Sequence, residues 1–416
     1  MVKYLAFAAC AAKAPVTQSL IKEIDDRVQI AGSPQNIERW MFWTVPQTTF
    51  LANATSQQKI LLLGGNGVGK TILMVESVER AKQLANNGEE VLFCIDPSSL
   101  ILLQKSMLQL QLEVEFEEFH KGNPQSKKIR VENLNLYDPF QENLNNIHVF
   151  IDELQSNHFQ KYATLNTKSL WAVVIFDEDT KFKDANEAIN YFKAQYPDWY
   201  IPFLNFILRT TQYIAEELKS LERSNYQHKW NNESSLNHVL DIPQNIQEGH
   251  KPVIFDDETP DQFCKNLQST FTDLANNDVA LIVLSFSIDC PVQSMSSKAI
   301  NDFKTNFPTY STLFSVDPTS IELTLAFIMQ CIKVSGREHP LIWTDDVKNF
   351  NSNEDQIKDW IRGKSRCDLI VDSALMPGFE ASTCLTFTSE GIQCSLSRTR
   401  VKHILFKGVY DNVELP

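Results

Sequence analysis

The sequence predicts an α/β protein of two lobes, each built on a mostly parallel sheet, and three observations lead there. Short apolar runs alternate with helical segments along most of the chain. A glycine-rich turn joins a strand to a helix early in it, and a polar, Asn-rich stretch divides the alternation in two. Continuous apolar runs set between helices are the pattern of a parallel sheet covered on both faces.

Residues 1–55 read as a mainly helical segment carrying Trp40-Met41-Phe42-Trp43 ahead of Pro46. The aromatic patch either packs this segment or stacks on a base. The first lobe is placed at 56–220. Lys59 to Leu63 reads as a short buried strand, and Thr71 to Ala85 as a helix with Ile72, Val75, Val78 and Leu84 broadly on one side. Then come a strand at Glu90 to Ile95, a helix near Leu100 to Leu112, a basic strand at Lys127 to Val131, and strands at Ile147 to Ile151 and Leu170 to Phe176. Residues 221–250 are polar and read as a linker or insertion. The second lobe, 251–416, has strand candidates at Pro252 to Phe255, Val279 to Phe286, Leu341 to Trp343, Asp368 to Val371, Cys384 to Phe387 and His403 to Phe406. It holds no second glycine-rich turn.

Composition sets outer bounds. With 416 residues, 43% of them hydrophobic, and 26 Phe, the chain is long enough for two to three folded domains. A formal charge of −14 disfavours attraction to a polyanion over the whole surface, and leaves room for a local basic groove. The eight cysteines form no C-x-x-C pair and read as reduced core residues, not disulfide or zinc ligands. No apolar run approaches the ~18 residues that span a membrane. The apolar stretch Tyr4 to Ala12 is cut short by Lys13, and the reduced cysteines place the expected location inside the cell, in cytoplasm or nucleus.

The chemistry begins at Gly64-Gly65-Asn66-Gly67-Val68-Gly69-Lys70-Thr71, which completes the G-x-x-x-x-G-K-T phosphate-loop pattern between strand and helix. Glycines let the backbone curl so that its N–H groups converge on phosphate oxygens, and the helix N-terminus adds positive potential. Lys70 supplies a mobile cation for the β- and γ-phosphates, and Thr71 a hydroxyl for Mg²⁺. The strand Ile147 to Ile151 ends in Asp152-Glu153-Leu154-Gln155. The strand beside a phosphate loop is expected to deliver an Asp to the metal shell, and a following Glu can take a proton from attacking water. Asp152 and Glu153 fit those two roles.

The run Asp-Glu-Leu-Gln resembles that of superfamily 1 helicases of the UvrD/Rep type and of the helicase-like domain of Schlafen proteins. The resemblance spans residues 56–410 and implies two RecA-like lobes, with the phosphate loop in the first only. It implies Mg²⁺-dependent ATP hydrolysis, with Gln155 linking nucleotide state to the neighbouring lobe. Leu170 to Thr180 resembles the family's third motif, with Phe176 in place of its glycine and Thr180 in place of its γ-phosphate-sensing glutamine. This departure puts turnover in question. Phe206 to Ala215 is similar to the fourth motif, making Arg209 a γ-phosphate contact. Met376 to Thr383 is similar to the fifth, with Glu380 at the sugar, and Leu396 to Arg400 to the sixth, with Arg398 as an internal arginine finger. The short intervals from Lys70 to Asp152 and from Arg209 to Glu380 describe a pared-down core.

Two functions follow as expectations. In the first, lobe closure around ATP brings Arg209 and Arg398 to the γ-phosphate and drives translocation on single-stranded RNA or DNA, with Lys121 to Arg130 and the Arg362, Lys364, Arg366 cluster as basic contacts. In the second, the protein is a nucleotide-gated switch that signals to a protein partner with little or no unwinding.

Overall fold

The computed structural model describes residues 50, 53–54, 56–64, 70–96, 104–175, 185–204, 212–217, 250–256, 259–276, 282–286, 292–308, 319–345, 350–365, 367–372, 375–376, 381–387 and 399–407. The chain divides into two compact units, Met1–Gln57 and Gln58–Pro416. In the first, Phe50 and Ala54 are buried and the Ser56 N–H closes a turn on the Asn53 carbonyl. The second contains two RecA-like α/β lobes.

The first lobe is built on β1 (Lys59–Gly64), β2 (Glu90–Ile95), β3 (Ile129–Asn133), β4 (Ile147–Gln155), β5 (Ser169–Ile175) and β6 (Phe203–Leu204). Their order is β3-β2-β4-β5-β1-β6, and each pairing is parallel. Its helices are α1 (Lys70–Asn86), α2 (Met107–Gly122), α3 (Ser156–Tyr162) and α4 (Ala185–Gln195). Burial explains the sequence pattern. Ile60 to Leu63 and Val91 to Ile95 are buried at every position, as strands covered on both faces must be.

The second lobe comprises β7 (Val253–Asp256), β8 (Ile282–Phe286), β9 (Leu341–Trp343), β10 (Leu369–Asp372), β11 (Ala381–Thr386) and β12 (Thr399–Lys407), in the order β7-β12-β11-β8-β10-β9 and again all parallel. Its helices are α5 (Pro260–Asn276), α6 (Ser297–Asn306), α7 (Ser320–Val334) and α8 (Glu354–Ile361). Helix α7 is buried continuously from Leu323 to Ile332, which an all-round apolar helix requires. A capping box between Thr319 and Glu322 satisfies its first turn.

The strands and helices expected from residue 56 onward on described residues are present, several with shifted ends, while the expected helical segment up to residue 49 and the expected linker at 221–249 lie outside the described residues. The helix expected near Leu100 to Leu112 runs from Met107 to Gly122, because Ser106 caps it through the Gln109 N–H and Val114 and Phe116 continue its buried face. Strands β11 and β12 begin earlier than their most apolar runs, at Ala381 and Thr399. The two-residue β6 went unforeseen because a strand this short has no periodicity to read.

The lobes meet along α2. Met107 and Leu110 of the first lobe are fully buried in a cluster with Trp343, Ile357, Trp360, Leu369 and Val371 of the second. Around this apolar seam lies an ionic one. Lys358 contacts Glu113 at 2.8 Å and Glu117 at 2.9 Å, and Arg362 contacts Glu117 at 2.6 Å. Lys105 bridges Glu113 and Glu354, both at 3.0 Å, and the Trp343 indole N–H donates to the Lys105 carbonyl. Burial works against the Lys358 charge, but its hydrogen bonds to Glu113, Glu117 and Glu354 outweigh that and raise its pKa.

The second core also carries an acid-sensitive group. His403 on β12 is 1% exposed, with its Nε2 3.1 Å from the Thr386 hydroxyl. Burial disfavours the imidazolium and holds the pKa down to about 4. Because the folded value lies below the unfolded one of about 6.5, the unfolded chain takes up the proton first as pH falls. The stabilisation from neutral His403 is therefore present above about pH 6.5 and is lost as pH drops towards 4, a difference on the order of 3 kcal/mol. Urea unfolding of wild type and His403→Gln at pH 7 and pH 4.5 checks this, with the acid loss expected to be smaller in the variant.

Candidate functional site

In parallel α/β sheets ligands bind off the carboxyl ends of the strands. In the first sheet those ends form one level: Gly64 of β1 pairs with Ile175 of β5 and with Leu204 of β6, and Ile175 pairs with Gln155 of β4. The glycine-rich run leaves the sheet at Gly64 and re-enters regular structure at Lys70, the first residue of α1. Residues 65–69 lie outside the described residues. Lys70 and Thr71 are placed at the start of α1, where the helix N-terminus faces the sheet's carboxyl edge.

Contrary to expectation, β4, which carries Asp152-Glu153, is not beside β1 but one strand further away, with β5 between them. At about 4.8 Å per strand the carboxylates therefore start about 10 Å across the sheet from the loop. That spacing leaves room for a triphosphate tail. The sequence could not reveal it, since strand order is set by pairing between segments far apart in the chain.

A bulge presents the two carboxylates. Between Ile151, paired with Ala172, and Leu154, paired with Val174, β4 carries one residue more than β5. Glu153 absorbs it with φ of 58°, the only positive value for a non-glycine among the described residues. A left-handed Glu costs about 1–2 kcal/mol, so surrounding contacts must hold it. Asp152 is 1% exposed, and its Oδ1 accepts the Glu153 N–H at 2.8 Å. Glu153 is 6% exposed.

The neighbouring strand adds a pair that sequence reading missed. Asp96 follows β2, is 3% exposed, and donates its N–H to the Asp152 carbonyl at 3.0 Å. Its Oδ2 accepts from Nδ1 of His158, in the first turn of α3, also at 3.0 Å. Nothing in the order of residues signals this, because Asp96 and His158 are far apart in the chain.

Among the described residues, no group of three or more His, Cys, Asp or Glu is gathered for a metal. Asp152, in the bulge near the carboxyl end of β4, fits Mg²⁺, which keeps several waters and takes one or two carboxylates together with substrate phosphates. The side chain of Gln155 and the residues Phe176, Thr180, Arg209, Glu380 and Arg398 lie outside what is described. Among the described residues, Ala381 and Thr399 are register partners on β11 and β12.

The basic stretches differ from expectation. Arg362 contacts Glu117, Glu118 and Asp359, and Lys364 contacts Asp359, so these cations belong to the seam and its helix rather than to an open groove. Lys127, Lys128 and Arg130 line an open hollow of about 480 Å³ with Glu90, Glu142 and Ile147. It lies at the amino ends of β2, β3 and β4, away from the nucleotide edge. There Arg130 is held by both oxygens of Glu142 at 3.1 and 2.8 Å, and Lys127 by Glu90 at 3.6 Å. No described helix is long and apolar enough to cross a membrane.

Residues 16–197, less than half of the chain, match the family model ResIII, the res subunit of type III restriction enzymes. The matched span contains both the phosphate loop and the Asp152-Glu153 pair. This match overturns the resemblance to UvrD/Rep-type superfamily 1 helicases, and the roles carried over for Gln155, Arg209, Glu380 and Arg398 lose the family that suggested them. Over that span the chain is similar to the res subunit, and the span holds the first lobe's loop strand and carboxylate strand. Curated proteins give no match. Similar solved structures include the Mycobacterium smegmatis helicase Lhr bound to ssDNA and AMP-PNP, at 11% identity over 89% of this chain and 46% of that chain, TM-score 0.42. Another is the DEAD-box helicase Mss116 bound to ssRNA and UDP-BeF, at 8% identity over 87% of this chain and 69% of that chain, TM-score 0.43. This chain spans about half the length of the Lhr structure.

Proposed function

We propose that this protein is a Mg²⁺-dependent ATP hydrolase with a helicase-like core of the superfamily 2 kind, whose turnover is coupled to single-stranded nucleic acid. The observation that carries the reading is the placement of Gly64 and α1 two strands from the Asp152-Glu153 bulge, on the carboxyl edge of one all-parallel sheet. In it, Gly64 to Gly69 wrap the phosphates with backbone N–H groups, Lys70 neutralises the β- and γ-phosphates, and Thr71 and Asp152 hold the metal. When bound, Mg²⁺ draws charge from the phosphate oxygens. Glu153 orients the attacking water and accepts its proton.

Calorimetric titration with Mg²⁺·ATP tests the site. Lys70→Ala is expected to weaken binding by about 100-fold or more, equivalent to about 2.7 kcal/mol. Equal affinities in the variant and wild type would remove Lys70 from the site. Hydrolysis with and without single-stranded RNA and DNA tests the coupling.

A second reading, a nucleotide-gated switch acting on a protein partner, is favoured by one observation. Arg130, Lys127, Arg362 and Lys364 are each matched by a carboxylate instead of standing in a bare basic groove. Nucleotide binding whose hydrolysis ignores both kinds of strand would favour it.

A further inference from the structure

We propose that His158 is a positioning residue for Glu153, acting through Asp96; this rests on the assignment of Glu153 above. Two hydrogen bonds and one short piece of chain form a ring. The Asp96 N–H donates to the Asp152 carbonyl at 3.0 Å, and the Asp96 carboxylate accepts from His158 at 3.0 Å. His158 leads back along the chain to Asp152 through residues 153–157, and inside the ring Asp152 Oδ1 accepts the Glu153 N–H at 2.8 Å.

The segment closed by this ring is the one that needs holding. It contains the left-handed Glu153 and the register slip between β4 and β5. A strained conformation persists only where its surroundings over-determine it. On one side β4 is fixed by its ladder to β2, up to the pairing of Ile95 with Asp152. On the other, α3 starts at once and is only seven residues long, too short to hold itself. Its first turn is pinned by His158. The Asp96 side chain is 4% exposed and that of His158 44%, so a buried carboxylate orients a half-exposed imidazole. A carboxylate can only accept, so Nδ1 carries the proton in this contact. Asp96 thus ties the bulge, by its main chain, to the first turn of α3, by its side chain.

His158→Ala is expected to lower the kcat for ATP hydrolysis by about 10- to 100-fold, the loss typical of a slightly misplaced catalytic group, with KM and Mg²⁺·ATP affinity within about twofold of wild type. His158→Asn, whose amide N–H can still reach Asp96, is expected to recover most of the turnover. A kcat unchanged in the Ala variant, or equally low in Ala and Asn, overturns the inference. So does a parallel loss of affinity and turnover. Amide hydrogen exchange of residues 152–157 reads the ring without any turnover. Protection is expected to fall about tenfold in His158→Ala and return in His158→Asn, and unchanged protection overturns the ring. Wild type that binds no Mg²⁺·ATP would overturn the proposed function separately, while the exchange measurement still decides the ring.

Discussion

Glu153→Gln is expected to bind Mg²⁺·ATP with an affinity within about twofold of wild type and to hydrolyse it about 10²- to 10⁴-fold more slowly. The change keeps the side chain's size and its hydrogen-bonding oxygen and removes only the capacity to accept a proton from water. Asp152, Lys70 and the phosphate loop, to which the proposed function assigns the binding, are untouched. At 10³-fold the loss corresponds to about 4 kcal/mol of transition-state stabilisation. Single-turnover hydrolysis beside calorimetric titration separates the two quantities, and equal turnover in variant and wild type would remove Glu153 from its role. Backbone geometry supplies an independent check. Since φ at Glu153 is 58°, Glu153→Gly is expected to raise unfolding stability by about 1 kcal/mol while abolishing turnover. A residue held for its position alone would show no such opposition between stability and activity.

The second large effect is expected at the seam. Lys358→Glu places a carboxylate among Glu113, Glu117 and Glu354, which Lys358 now holds at 2.8, 2.9 and 3.1 Å. Its side chain is 10% exposed and that of Glu113 16%, so solvent screens the repulsion within that pair poorly, and the repulsion from Glu117 and Glu354, at 42% and 38%, more fully. Removing one partner of a buried pair costs about 3–5 kcal/mol, because the remaining charge loses its compensation. Reversal adds repulsion to that loss. The urea midpoint is expected to fall accordingly, and the thermal transition to split in two as the lobes melt apart. The double variant Lys358→Glu with Glu113→Lys is expected to recover part of the loss. An unchanged single transition in Lys358→Glu would show that Met107 and Leu110, buried among second-lobe residues, hold the lobes together without the charges.

Amino-acid order was enough to specify the elements and their class. Runs such as EVLFCI are apolar at consecutive positions because both faces of β2 are covered, and no helix with a solvent-facing side tolerates that pattern. The glycine-rich loop and the Asp-Glu pair were legible too, since each is a local run of residues whose chemistry depends on its immediate neighbours. The superfamily was misread for a related reason. Short motifs at modest spacing are shared between classes of helicase-like protein, and only the match over residues 16–197 separates them.

Three-dimensional packing alone decided the rest. It inserted β5 between the loop strand and the carboxylate strand, because strand order is fixed by long-range pairing that no local pattern encodes. It joined Asp96 to His158 of α3 and turned Glu153 left-handed where β4 slips against β5. It also gave Arg362 and Lys364 carboxylate partners, where the sequence showed only a run of cations. A charge is visible in a sequence, but what neutralises it depends on which surfaces the folded chain brings within a few ångströms.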